Sequence, residues 1–333
     1  MANKFIVAPA PHMHNPHSTQ SLMRDVILAL VPALLVSVVV YGLSVLYVTA
    51  IAVASCVVVE YLIQKYLVKG NPTIGNLSAV VTGLLLAFNL PASIPWWIIV
   101  IGSVVAIGVA KMTFGGLGHN PFNPALVGRV FLLIAYPVQM TSFPEIQPVI
   151  GGIADTFSGA TPLTQLADGL APAALQSTPM DWFIGTIPGC IGETSTVAIL
   201  LGAALLLFTG VASWRIMLSV FAGGYLMGLL FNLIGVNAYM DIPAHYHLLI
   251  GGFAFGAVFM ATDPVTASQT NAGKWIYGLL VGVLAVLIRV VNPGYPEGMM
   301  LSILFMNLVA PLIDYYVVEA NIKRRLKRVK TVK

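Results

Sequence analysis

Apolar residues in this chain come in long blocks, not at the two-residue spacing of half-buried strands or the three-to-four-residue spacing of amphipathic helices. A bilayer core takes roughly 20 apolar residues per helix. On that scale the sequence holds ten blocks: 25–42, 45–66, 76–90, 95–112, 122–137, 196–212, 214–234, 246–262, 274–291 and 298–318. Blocks 76–90 and 122–137 are short and end in prolines, which predicts half-length or broken helices. The first twenty residues are polar and lack the apolar centre of a signal peptide, so insertion is expected to rely on the first spanning helix. The expected fold class is an all-α polytopic membrane protein with about ten transmembrane helices.

Composition removes the soluble alternative. Hydrophobic residues make up 58% of the 333 and charged residues 8%, where a soluble domain carries about 25% charge. Charge placement then orients the blocks. With both termini inside, Lys4, Arg24, Lys65, Lys69, Lys111, Arg129, Arg215, Lys274 and the seven basic residues from Lys323 to Lys333 fall on or toward the cytoplasmic side. Only Arg289 of the sixteen lies toward the outside, the pattern expected of an inner-membrane protein. The outer segments carry Glu145, Asp155, Asp168, Asp181, Glu193, Asp241 and Glu297.

The chain also repeats itself. Residues 78–91 align on residues 251–264, matching Gly83 to Gly256 and Pro91 to Pro264, and a Trp-led block follows each copy. HNPFNP follows the first and VNPGYP the second. Five blocks separate the copies, so two five-helix repeats of opposite orientation are expected, as in transporters with a site near the midplane. The organisation read from this is 1–24 (cytoplasmic segment), 25–137 (first repeat), 138–195 (long external loop), 196–318 (second repeat) and 319–333 (basic cytoplasmic tail). A stand-alone secondary transporter or channel fits the repeat equally well.

The external loop holds Asp155-Thr-Phe-Ser158-Gly159-Ala160-Thr161. Loops of this length are usually functional or disordered, and a hydroxyl on a small-residue turn is accessible to a modifying enzyme. Cys56 and Cys190 belong to no C-x-x-C or Cys/His cluster, so no metal site is written in this chain; iron held jointly with another subunit stays open. No strand-linked G-x-G-x-x-G is present, which puts NADH or ferredoxin chemistry in partner subunits.

Several long motifs together resemble one family: the Pro11-His-Met-His14 start, residues 114–129 (FGGLGHNPFNPALVGR), the D-x-x-S-G-A-T segment, and residues 259–266 (FMATDPVT). The family holds RnfD of the Rnf complex and NqrB of the sodium-translocating NADH:quinone reductase, and the likeness covers essentially the whole chain. It implies a flavin relay inside a complex that pumps Na+ or H+. A flavin transferase would join FMN to Thr161 through its phosphate, recognising Asp155, Ser158, Gly159 and Ala160. Partners would include the other members of the complex, one of them carrying a second covalent FMN. Residues 1–137 look like RnfD and the later part like NqrB. Cys56 and Val57 stand where NqrB has a Gly-Gly pair associated with quinone, which tips the reading toward Rnf.

Asn120 and Asn123 match family positions beside a non-covalent riboflavin, since amides offer donor and acceptor to a pyrimidine edge; as residues alone they also read as caps of a proline-broken helix. Glu60, Asp263 and Asp314 lie at or near membrane depth, where acids default to functional hypotheses, and the family has ion-uptake carboxylates there. The structural alternatives are snorkelling beside Lys65 for Glu60, a cap for Asp263 and an interfacial position for Asp314. His12, His14 and His17 are read as a docking segment, and the Lys323–Lys333 tail as an anchor on anionic lipid rather than a nucleic-acid site.

Overall fold

A computed structural model describes residues 18–70, 72–143, 159–170, 175, 177–193, 195–236, 239–292 and 297–331. Lys4, the three histidines, Glu145, Asp155 and Ser158 lie outside them. Every regular element among the described residues is helical. The order is α1 (Thr19–Tyr41), α2 (Ser44–Leu62), α3 (Ser78–Phe88), α4 (Trp96–Val104), α5 (Pro124–Ala135), α6 (Pro137–Thr141), α7 (Pro162–Ala167), α8 (Pro179–Ile184), α9 (Thr196–Phe208), α10 (Trp214–Ile234), α11 (Tyr246–Leu249), α12 (Phe253–Phe255), α13 (Asn271–Val291) and α14 (Gly298–Thr331). Wider π-type turns extend α2 over Ile63–Leu67, α4 over Val105–Val109 and α12 over Gly256–Met260.

Among the described residues six helices are long and apolar enough to cross a membrane, and α3, α5 and α9 are shorter apolar helices. The chain is a multi-pass membrane protein. Leucines and valines such as Leu28, Leu35 and Val39 point outward from α1, which is stable only against lipid. Where helices meet, small residues let backbones approach: Gly223 and Gly282 on one helix each face backbone of the other across the α10–α13 contact, and Gly278 lies over Ser219. A stacked pair, Phe88 on Phe255 with centroids 5.7 Å apart, joins the halves through the core.

Local chemistry sets the helix ends. The Ser18 side chain accepts from Ser21 N to start α1, and Gly42 at φ 77° ends it. Asn123 caps α5, with Pro124 in the first turn, where its missing N–H costs nothing.

Two sequence expectations change. Block 246–262 is not one helix: it breaks after Leu249 and resumes at Phe253, with Gly251 at φ 69°. Arg289 explains the break, because its Nη1 and Nη2 donate to the carbonyls of His247 (2.7 Å) and Ile250 (3.2 Å). The last block does not stop at residue 318; α14 continues through Thr331, so most of the basic tail is helical. The described part of the 138–195 loop is docked rather than loose. Trp182 is fully buried, its ring edge-on to Tyr246, and Tyr41 donates to the carbonyls of Ile187 and Gly189.

Candidate functional site

Two cavities flank α5, called inner and outer after the sides that the charge pattern leads one to expect. The inner one, about 280 Å³, is lined by Leu22, Ser78, Lys111, Asn120, Asn123 and Asp263 among others. The structure therefore brings together three of the residues singled out in the sequence and adds Lys111. Asn123 spends its Oδ1 on Ala125 N (3.1 Å) as the cap of α5. Asn120 donates from Nδ2 to the Phe122 carbonyl, but its Oδ1 is buried with no partner. A buried acceptor without a donor costs about 1–3 kcal/mol, so this cavity suits a ligand with an N–H edge. Asp263 caps its own turn, accepting from Val265 N (3.2 Å) and the Thr266 hydroxyl (2.9 Å), and also lines the cavity.

Lys111, at the cavity wall, also forms a buried ion pair. Its Nζ lies 2.5 Å from Glu60 Oε2 and donates to Ser78 Oγ at 2.7 Å. Gln64 donates to Glu60 Oε1 at 3.3 Å. Glu60 consequently does not snorkel beside Lys65, which donates to Tyr61 instead. Ser78 follows Leu77, a left-handed non-glycine residue at φ 62°, a conformation that costs on the order of 1–3 kcal/mol. Asn76 steadies the turn by accepting from both Ser78 N and Oγ.

Asp314 is not part of either cavity. It accepts from Ser268 Oγ (2.6 Å), Gln269 N (2.7 Å), Thr270 N (3.0 Å) and Thr270 Oγ1 (2.6 Å). It fastens the turn that follows Asp263 to α14. The three acids are thus three separate devices: a paired ion, a cavity-lining cap and a loop anchor.

The outer cavity, about 440 Å³, is lined by Arg129, Gly159, Ala160, Thr161, Glu193 and Glu297 among others. Thr161 is half-buried. It caps the short α7, accepting from Thr164 N at 3.1 Å, and its hydroxyl lies 2.9 Å from that of Thr164. The cavity floor is charged. Arg129 donates from Nη1 to Asn89 Oδ1 (2.8 Å) and from Nη2 to Glu193 (3.4 Å) and Glu297 (3.3 Å). The charge pattern expects Arg129 toward the inside and Glu193 and Glu297 outside, and the structure pairs them.

Sequence reading missed Lys111, Arg129, Glu193 and Glu297 as site residues. The signal was present, because a charge within an apolar block is costly whatever its sign, yet the cations were used only to orient the chain.

A family model described as NQR2, RnfD, RnfE family matches residues 6–323. NqrB of the Na(+)-translocating NADH-quinone reductase of Klebsiella pneumoniae is 52% identical over 256 residues, 74% of this chain and 61% of the relative. Its counterpart from Haemophilus influenzae is 49% identical over 282 residues, 82% of this chain and 66% of the relative. The chain spans about three fifths of the length of the first of these. Both bear the reductase name, so they favour that reading over RnfD.

Proposed function

The chain belongs to the NQR2, RnfD, RnfE family, and from that premise we propose that it is an electron-carrying membrane subunit of an ion-translocating NADH:quinone reductase. Thr161 carries the proposal: the last residue of D-x-x-S-G-A-T lines the largest charged cavity described, with its hydroxyl half-buried at the wall. FMN held there through its phosphate supplies one- or two-electron chemistry. Thr161 anchors it, Leu133, Phe143 and Met300 give an apolar wall, and Arg129, Glu193 and Glu297 set the field around it. Asp155, Ser158, Gly159 and Ala160 are the marks read by a flavin transferase.

A second, non-covalent flavin such as riboflavin would be held in the inner cavity, with the orphaned Asn120 Oδ1 as an acceptor for its N–H and Asn123 in the lining. The ion, Na+ or H+, is handled on that side. Asp263 offers hard oxygen ligands beside the cavity, Glu60 is tied to it through Lys111, and Asp314 holds the intervening turn. The reading places the protein in a bacterial inner membrane with both termini cytoplasmic. It assigns ten crossings in two inverted repeats, which the half-length α3 and the broken α11–α12 segment support. Lys111 and Arg289 close the Trp-led helices of the two repeats, and each bonds the start of its broken helix, at Ser78 and Ile250.

One observation favours RnfD as a second reading. Cys56 is fully buried against Ala79 and Ile107, a tightly packed side chain where the resemblance sets a Gly-Gly pair in NqrB. The neighbouring genes of the same complex decide between the two.

The experiment for the shared core of both readings is direct. Co-expressed with its flavin transferase, the denatured polypeptide is expected to fluoresce, and Thr161→Ala to abolish that band while membrane insertion persists. A fluorescent Thr161→Ala band, or a colourless native protein, would sink the assignment.

A further inference from the structure

Arg129, Glu193 and Glu297 meet where the outer cavity closes against the helix bundle. A single Arg129 nitrogen, Nη2, is shared among Glu193 Oε1, Glu297 Oε2 and Cys190 Sγ at 3.3–3.5 Å. Two carboxyls therefore divide one guanidinium nitrogen, and the next buried cation, Arg289, acts on Glu297. Gly252 lets them converge: a Cβ there would sit 2.9 Å from Glu193 Oε1 and 3.1 Å from Glu297 Oε1. Glu297 Oε1 is buried without any donor from another group. Like charges crowded this closely on one donor favour the protonated form of one of the two.

The surroundings say which. Burial, then the neighbouring Glu297 charge, pushes Glu193 up to about 8, against the pull of Arg129. Glu297 is also pushed up by burial, but Arg129, the Glu193 hydrogen bond and Arg289 bring it below the usual carboxylate range. The other titratable groups facing the pair are Tyr41 from α1, Cys190 from the loop carrying Glu193, and Tyr239 from the segment after α10. Burial holds Cys190 and Tyr239 neutral, so the carboxyl pair is the group that titrates near neutrality, as one unit.

We propose that Glu193 is the proton-exchange residue of the outer cavity, with Glu297 sharing its proton and Arg129 clamping the two together. This rests on the flavin reading of Thr161. An electron passed from a one-electron carrier of a partner subunit to the flavin in this cavity would add one negative charge, and its transfer on to a second such carrier would remove it. The carboxyl pair answers by binding one proton from water reaching the cavity, and removal of the electron returns that proton to water. One charge is balanced by one proton, and no bond to carbon changes.

The test uses the purified flavinylated protein, infrared spectra across pH, and redox titration of the bound flavin. The native protein is expected to show a buried protonated-carboxyl band that disappears as pH rises through about 8 and responds to flavin reduction. Glu193→Gln, which keeps shape and hydrogen bonding, removes the band and flattens the pH dependence of the flavin potential over that range. Glu297→Gln keeps the band but moves its titration to lower pH, because the neighbouring charge is gone; it probes the pair with Glu193 intact. A band that persists in Glu193→Gln, or an unchanged pH dependence in a fully flavinylated variant, overturns the proposal. Covalent fluorescence without a Glu193-dependent band overturns the proton site alone. A Glu193-dependent band without covalent fluorescence supports the shared proton and overturns the flavin at Thr161.

Discussion

The inner and outer cavities lie on the same helix, with Asn123 facing one and Arg129 the other, six residues or about 9 Å apart along α5. They treat charge differently. At the inner cavity one cation meets one carboxylate, Lys111 on Glu60 at 2.5 Å, and a serine and a glutamine take up the remaining bonding capacity. At the outer cavity one cation meets two carboxylates through longer contacts, and one carboxylate oxygen is left without a donor. A matched buried pair needs no proton to balance its contact. Two carboxyls crowded on one guanidinium nitrogen raise each other's affinity for a proton. Crowding of like charges, more than the presence of acids, separates a strut from a site that can respond.

The largest expected effect breaks the inner pair. Lys111→Met leaves Glu60 buried and uncompensated, which costs about 3–5 kcal/mol, read as a lowered thermal midpoint in detergent. The double variant Lys111→Met with Glu60→Gln is expected to recover most of the loss. If it does not, Lys111 matters for packing or ligand contact and the matched-pair description is wrong.

A smaller effect separates the cavities functionally. Asp263→Asn keeps its size and cap bonds, so covalent fluorescence at Thr161 should be retained. Ion-stimulated electron transfer in proteoliposomes is expected to fall about tenfold, equivalent to roughly 1.4 kcal/mol. Turnover is measured against sodium concentration and pH in the assembled complex. Unchanged turnover and ion dependence would reduce Asp263 to the cap of its turn.

The smallest effect is confined to the outer loop. Thr178 and Asp181 cap α8 reciprocally, and Thr178→Ala should cost about 1 kcal/mol. Hydrogen bonds from Thr178 hold the Asp181 carboxyl below its ordinary value. Its contribution is therefore present above the unfolded value of about 3.9 and lost as pH falls through the lower folded value. Melting midpoints should show a weaker acid dependence in Thr178→Ala than in the native protein. An equal dependence would place the acid sensitivity elsewhere.

Much was readable in advance, for a physical reason. Insertion into a bilayer depends on apolar content summed along each segment, which is a local property. The long helices, the short α3 and α5, and the multi-pass character follow from the blocks and their prolines. D-x-x-S-G-A-T is likewise local, a hydroxyl at the end of a small-residue run, and Asn123 stands visibly before a proline where a cap is needed. Ion pairing is not local. Glu60 and Lys111 are 51 residues apart, and Arg129 is 64 from Glu193 and 168 from Glu297. Whether such charges meet depends on how helices are turned and how deep they sit, to within an ångström or two. Only the packed bundle settles that, and so only the tertiary structure shows Arg129 paired with two acids far from it in the sequence. It also broke the eighth block, because Arg289, some forty residues downstream, takes the carbonyls that a continuous helix would have used.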